Sequence, residues 1–169
     1  MTLTVYAMCG LAFSGKSSAA AAVVRALKID VASLDGINIE RGLKGGEGIA
    51  DAQWEETSFI AMERVRAFLK SVRSLVVDDT FSHRFLRDRC KAVADEFSAR
   101  FVILFMDTPL AEIEVRRAAN NLNPVRHGIR DAVFAHHRDR FQFPTDDEPV
   151  VRIRTNRELA DWLARQLGG

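Results

Sequence analysis

The sequence predicts an α/β domain in which a parallel sheet carries helices on both faces. Short apolar runs rich in β-forming residues alternate with helical patterns, and strands separated by helices pair in parallel. A glycine motif stands directly between the first apolar run and the first helical pattern. The length of 169 residues, without a linker-like stretch, predicts a single domain over residues 1–169.

The first half of the chain predicts strands at residues 3–9, 29–33 and 74–79. The first of these is apolar throughout and ends at Gly10, which is typical of a strand buried on both faces. Residues 17–27 are dominated by alanine, the best helix former, and predict a helix that lies close to the sheet. Apolar residues recur at helical spacing over 53–73, which predicts an amphipathic helix.

The segment 34–51 interrupts this pattern with five glycines. Glycine weakens both helices and strands because its backbone is the most flexible, so we expect a largely mobile loop here. Such a loop is a candidate to close over a substrate.

The second half predicts a helix over 83–98 and a fully buried strand over 100–106. Thr108 is the predicted N-cap of the next helix, and Pro109 is its predicted first residue. We expect this helix to end near Ala119. A helix over 129–141, a strand at 149–154 and a helix over 157–167 complete the pattern. Ligands bind at the carboxyl ends of parallel strands, so the residues after each strand are the functional candidates.

The strongest functional signal is the segment GLAFSGKS at residues 10–17, which fits the phosphate-binding motif G-x-x-x-x-G-K-[ST]. Its glycines let backbone N–H groups wrap a phosphate, and the following helix N-terminus favours an anion. Lys16 is predicted to reach the β- and γ-phosphates and Ser17 to ligate Mg²⁺. The predicted ATP-binding residues are Gly10, Leu11, Ala12, Phe13, Ser14, Gly15, Lys16, Ser17 and Ser18.

Carboxylates follow two of the predicted strands. Asp78 ends an apolar run beside Asp79, where a strand-end carboxylate can hold the water shell of Mg²⁺. Asp35 follows the strand at 29–33 and is the candidate general base that orients an acceptor hydroxyl and takes its proton. Asp35 also fits a turn aspartate before Gly36.

Arginines cluster in three later places: Arg84, Arg87 and Arg89; Arg116 and Arg117; and Arg126 and Arg130. An arginine-bearing lid over ATP neutralises charge on the transferring phosphoryl group and excludes water. Arg116 is the predicted catalytic arginine, and Arg117 and Arg126 are predicted nucleotide contacts. Each of them also fits a solvated charge on a helix face.

These motifs resemble those of the small P-loop kinases grouped as AAA-domain kinase-like proteins, relatives of chloramphenicol phosphotransferase, polynucleotide kinase and zeta toxin. The similar segments are the phosphate loop and residues 33–35 (SLD), 76–80 (VVDDT), 105–109 (FMDTP) and 141–148 (FQFPTDDE). The resemblance implies a three-layer P-loop NTPase fold with a five-stranded parallel sheet, in which the Asp78 strand lies beside the first strand. It also implies a small lid over about residues 116–130.

The same resemblance implies Mg-ATP-dependent phosphorylation of an acceptor hydroxyl, and it supports Asp35 as the base. Many relatives carry an arginine a few residues after that aspartate to hold substrate or phosphate. Here Asn38 and Arg41 are the two candidates for that position, and Arg84 and Arg87 correspond to arginines that we expect near the substrate.

The net charge of +1 is too small to attract a nucleic acid or an anionic membrane through the overall electrostatic field of the protein. We therefore favour a small hydroxylated acceptor, a metabolite or an antibiotic, and expect no nucleic-acid partner. A polynucleotide 5′-hydroxyl kinase is the first alternative, but residues 34–63 hold two basic against seven acidic residues, an excess that suits a cationic acceptor such as an aminoglycoside. A nucleotide-binding sensor without kinase chemistry is the second alternative.

The chain shows no apolar run of about 18 residues and no cysteine framework. We accordingly expect a cytoplasmic protein without membrane association, as a monomer or homodimer.

Overall fold

A computed structural model of the chain describes residues 2–43, 48–124 and 128–168. The elements, in chain order, are β1 (Thr4–Cys9), α1 (Lys16–Leu27), β2 (Asp30–Ser33), α2 (Leu34–Glu40), α3 (Asp51–Lys70), β3 (Leu75–Asp78), α4 (Arg84–Glu96), β4 (Arg100–Met106), α5 (Leu110–Leu122), α6 (Asp131–Arg140), β5 (Val150–Ile153) and α7 (Asn156–Leu167).

All strand pairings are parallel, and the strands form one five-stranded sheet in the order β2-β3-β1-β4-β5. The strand that ends in Asp78 lies beside β1, as the sequence resemblance implied. Each strand that the sequence predicts is present, with boundaries within three residues of those expected.

The sheet lies between two layers of helices. Val5 and Ala7 of β1 belong to the core cluster formed with α2, α3 and α4. Tyr6 and Met8 belong to the cluster formed with α1 and α7. Successive side chains of a strand point to opposite faces, so β1 is buried on both sides and the three-layer prediction is confirmed.

The segment after β2 differs from the prediction of a largely mobile loop, because Leu34–Glu40 is helical. Ser33 caps this helix by accepting a hydrogen bond from the Gly36 N–H at 3.2 Å. Leu34 and Ile37 are buried in the core against α3. Burial of these side chains outweighs the cost of a glycine in the first turn, which is about 1 kcal/mol.

The start of α5 also differs from the prediction. Pro109 has an extended backbone (φ −55°, ψ 139°) and occupies the N-cap position without a side-chain cap. Thr108 therefore does not cap the helix; its hydroxyl donates to the Ser14 carbonyl at 2.8 Å. This contact joins the end of β4 to the phosphate loop.

Within the described residues, none of the helices combines the length and the apolar composition of a membrane-spanning segment.

A buried ion pair fixes the segment between α6 and β5 onto α4. The Arg87 Nε and Nη2 donate to the two Glu148 carboxylate oxygens at 2.6 and 3.0 Å, and both side chains are almost fully buried. The Arg87 Nη1 donates to the carbonyls of Phe81 and Gln142, each at 2.9 Å. Burial acts to raise the pKa of Glu148, but hydrogen bonds from Arg87 and Thr145 outweigh it and hold the pKa below its ordinary value.

Replacing Arg87 with methionine leaves a carboxylate buried without its cation. We expect Arg87→Met to lower the free energy of unfolding by about 3–5 kcal/mol at pH 7, measured by urea denaturation. The loss should shrink as the pH falls below about 4, because the lowered pKa of Glu148 stabilises the fold only while the carboxylate is ionised. The exposed Arg84→Met is the control, with a much smaller expected loss because its ion pairs are screened by solvent. Equal losses in the two variants would contradict this account.

Candidate nucleotide and acceptor site

The phosphate loop leaves the carboxyl end of β1 through a glycine that no other residue can replace without strain. Gly10 has a φ of +147°, and a Cβ there would lie 2.8 Å from the Ser14 Oγ and 3.0 Å from the Met106 carbonyl oxygen. Its N–H donates to the Thr80 carbonyl at 3.1 Å. The loop is thus held between the ends of the two strands that flank β1.

The loop then opens into α1 as the motif requires. Lys16 is buried at the start of the helix, and its Nζ donates to the Leu11 carbonyl at 2.8 Å. Ser17 and Ser18 are exposed in the first turn. No side chain caps α1 and no acidic residue lies in its first turn. The first-turn N–H groups therefore offer the kind of anion site that helix N-termini provide.

Asp78 and Asp79 point to different faces of the sheet edge. Val76 packs in the α1 cluster and Val77 in the α3 and α4 cluster. The alternation along β3 therefore places Asp78 on the same face as α1 and Ser17. Burial raises the pKa of Asp79, whose carboxylate accepts the N–H groups of the two following residues.

Asp35 lies in the first turn of α2, immediately after β2, and its side chain is exposed. Among the described residues, none forms a hydrogen bond or ion pair with this carboxylate. Since β2, β3 and β1 are parallel neighbours, Asp35, Asp78 and the phosphate loop share one sheet edge.

The two residues predicted to hold the acceptor after Asp35 are instead used within the protein. Asn38 is buried, and its Oδ1 accepts from the Thr57 hydroxyl. Arg41 donates to the Gln53 carbonyl at 2.7 Å and to the Thr57 hydroxyl, and it pairs with Glu56. These contacts fix α2 against α3, and the acceptor role of the two residues stays a prediction.

Arg84 and Arg87, which are predicted to contact the substrate, also form ion pairs within the protein. Arg87 is buried in its pair with Glu148. Arg84 pairs with Asp88 at 2.9 Å and with Asp147 at 3.0 Å. Both arginines therefore attach α4 to the segment before β5, Arg87 is almost fully buried, and their contacts with a substrate stay predictions.

The two adjacent arginines of α5 make different contacts. Arg116 reaches the phosphate loop: its Nη1 donates to the Phe13 carbonyl at 3.1 Å and lies against Gly15. Arg117 is buried away from the loop, where it pairs with Glu114 at 2.7 Å and Asp131 at 2.6 Å.

Arg117 also stacks on the Phe134 ring at 4.1 Å. The side chain thus joins α5 to α6, and its contact with a nucleotide stays a prediction. Arg126 lies outside the described residues.

Apolar residues of the phosphate loop connect it to these two helices. Phe13 has a φ of +65° and packs with Ile113 of α5 and Phe134 of α6 in a small separate cluster. Leu11 and Ala12 extend the same cluster. The loop conformation and the position of α5 and α6 are therefore coupled by direct packing.

A groove of about 680 Å³ runs from the phosphate loop along α1. Sequence reasoning identified its loop residues and Arg116 but missed Arg154, Thr155 and Asn156, which line its far end. These three follow β5, so the rule that ligands bind beyond strand ends could have found them.

Both cysteines of the chain are buried free thiols. Burial raises the pKa of Cys9 to about 12 and also raises that of Cys90, so neither thiol is a ready nucleophile. Within residues 2–43, 48–124 and 128–168, no three His, Cys, Asp or Glu side chains come together as a metal cluster.

The contact between Gly15 and Arg116 yields a prediction about nucleotide affinity. Gly15 has a φ of +95°, and an added Cβ would lie 3.2 Å from the Arg116 Nη1. We expect Gly15→Ala to weaken ATP binding by about tenfold or more, measured by titration with a fluorescent ATP analogue. Gly42→Ala is the matched control, since Gly42 has a φ of +77° but open space around it. Unchanged affinity in Gly15→Ala would show that the loop tolerates a side chain there.

Comparison with known proteins agrees with this geometry. The chain is 28% identical over 123 residues to an adenylyl-sulfate kinase of Saccharomyces cerevisiae, covering 71% of the chain and 61% of that relative. It is 37% identical over 112 residues to an adenylyl-sulfate kinase of Shigella flexneri, covering 63% of the chain and 54% of that relative. The chain therefore spans less than two thirds of the length of either curated relative.

The fold has solved counterparts. A gluconokinase structure from Sinorhizobium meliloti superposes with a TM-score of 0.69 at 17% identity, covering 96% of the chain and 93% of that structure. The AAA_33 family, described as "AAA domain", matches residues 5–144. The phosphate loop, the sheet order and this match together show that the chain belongs to the AAA_33 family.

Proposed function

We propose that the protein is a phosphotransferase that moves the γ-phosphoryl group of Mg-ATP to a hydroxyl of a small molecule. One observation carries the proposal: a phosphate loop and an exposed carboxylate without a described partner, Asp35, stand on the same edge of one parallel sheet. The names of the curated relatives, adenylyl-sulfate kinases, support the same class of reaction.

The nucleotide occupies the α1 side of the loop in this proposal. Residues 10–17 surround the phosphates, and the groove beyond them accommodates the rest of the nucleotide. Arg116, which already touches the loop, neutralises charge that develops on the transferring group. The other members of the loop act through backbone N–H groups.

Magnesium fits the donors at this edge. Mg²⁺ usually keeps several waters and takes only one or two protein ligands together with phosphate oxygens. Ser17 provides a hydroxyl, and Asp78 lies on the same face of the sheet. When bound, the ion neutralises phosphate charge.

Asp35 acts as the general base. The acceptor oxygen attacks the γ-phosphorus and its proton passes to the Asp35 carboxylate. The bond between the γ-phosphorus and the β–γ bridging oxygen breaks, and ADP leaves. Because Asp35 is exposed and without a described partner, its carboxylate is available to a bound hydroxyl.

The role of Asp35 is tested by removing its charge. We expect Asp35→Asn to lower kcat by about 10²–10⁴-fold while ATP affinity stays the same, because a general base acts only in the chemical step. Asp161→Asn, an exposed change on α7 at the opposite face, should retain wild-type turnover. Wild-type turnover in Asp35→Asn would exclude the assignment.

To identify the acceptor, ADP release from Mg-ATP is measured in the presence of candidate hydroxyl compounds, and each product is analysed by mass spectrometry. The candidates are aminoglycosides, other hydroxylated antibiotics, sugars, nucleosides and 5′-hydroxyl oligonucleotides. A phosphorylated small molecule supports the proposal. A phosphorylated oligonucleotide would replace it with a polynucleotide kinase. ATP binding without any product would favour a nucleotide sensor.

The choice between the two adjacent aspartates yields a separate prediction. We expect Asp78→Asn to raise the Mg²⁺ concentration for half-maximal ADP release by about tenfold or more, because Asp78 faces α1. Asp79→Asn, on the other face, should leave this Mg²⁺ requirement unchanged. The reverse result would assign the Mg²⁺ role to Asp79.

A further inference from the structure

The N-terminal half of α3 forms ion pairs with two arginines, one that directly follows α2 and one in α4. Four consecutive residues, 55–58 (EETS), which we call the α3 clamp, provide two carboxylates and two hydroxyls. Glu56 and Thr57 hold Arg41, which directly follows α2. Glu55 and Ser58 hold Arg89 of α4, at 2.8 and 3.3 Å.

The clamp lies on the acceptor side of the sheet edge. A helix of 20 residues is about 30 Å long, whereas the four-residue β3 spans about 13 Å. Since α3 ends where the chain enters β3, its first turns extend past the carboxyl edge, where Asp35 stands. The contacts of Thr57 and Glu56 in the clamp with Arg41, six residues after Asp35, agree with this position.

Each clamped arginine is neutralised by a carboxylate. The Arg41 side chain is only 17% exposed, and its guanidinium also donates to the Gln53 carbonyl. The remaining described arginines of α3 and α4 are paired too, and these are Arg64, Arg66, Arg84 and Arg87.

We infer that the α3 clamp selects an acceptor that is uncharged or cationic and excludes acceptors that carry sulfate, phosphate or carboxylate. An anionic group near the reacting hydroxyl would meet the Asp35 carboxylate and two arginines whose charge is already satisfied. Like charges placed beside each other disfavour binding. This inference rests on the proposed function, and it separates the chain from relatives named for the anionic adenylyl sulfate.

The first arm of the test compares acceptors of one scaffold and different charge. ADP release is measured with glucosamine, glucose and gluconate, and with kanamycin and adenylyl sulfate as larger cationic and anionic compounds. We expect any turnover to occur with the cationic or neutral members. Turnover of gluconate or adenylyl sulfate above that of the neutral sugar would overturn the inference while leaving the proposed phosphotransferase intact.

The second arm does not require turnover. Adenylyl sulfate is titrated calorimetrically into the protein with its nucleotide site saturated by a non-hydrolysable ATP analogue. We expect Glu55→Gln/Glu56→Gln to bind adenylyl sulfate about tenfold more tightly than the wild type, because both arginines lose their carboxylates. The double variant binding no better than the wild type would overturn the inference.

The matched control is Glu63→Gln, which also removes a carboxylate from an arginine on α3. Its partner Arg66 is still paired with Glu96 at 2.8 Å, so the Arg66 charge stays neutralised. The affinity of this variant for adenylyl sulfate should therefore equal that of the wild type. An equal gain in Glu63→Gln and in the double variant would also overturn the inference, since the effect would then be one of net charge. If the protein phosphorylates none of the acceptors, the proposed function is contradicted. The calorimetric titration still tests whether the α3 clamp excludes anionic acceptors.

Discussion

The site depends on the point where the chain leaves the central strand. β1 is buried on both faces and flanked by β3 and β4, so the chain can turn toward α1 only through a narrow space. Gly10 fills that space with its N–H on the Thr80 carbonyl and its Cα against the Met106 carbonyl. A side chain there would push the phosphate loop away from both neighbouring strands. The absence of a Cβ at this residue therefore sets the geometry on which the rest of the site is built.

Arginine–carboxylate pairs make up much of the remaining framework around the site. The pair of Arg87 and Glu148 is buried and anchors the segment before β5, where loss of either charge leaves the other uncompensated. The pairs at the α3 clamp are partly exposed, and such pairs contribute little to stability individually. Their consequence is electrostatic, because they decide which cations remain for a ligand.

The two halves of the site are built on opposite layers of the fold. The groove proposed to hold the nucleotide follows α1 and α7, while α2, α3 and α4 form the side where Asp35 stands. The phosphate loop joins them, and Phe13 connects the loop to α5 and α6 through packing. Arg116 approaches the loop from the same α5 helix whose Arg117 is fixed on Phe134. A movement of α5 relative to the loop would therefore carry Arg116 with it.

The sequence by itself determined the sheet, the phosphate loop and the edge on which Asp35 and Asp78 lie. These features depend on local periodicity, on residue spacing and on the rule that parallel strands share a carboxyl edge. Only the tertiary structure decided that residues 34–40 form a helix, since burial of Leu34 and Ile37 outweighs the low helix propensity of Gly36. The tertiary structure also decided which partners the arginines contact. Arg41, Arg87 and Arg117 resemble ligand-binding residues in sequence, but each has a carboxylate partner 14–61 residues away, and only folding brings those charges together.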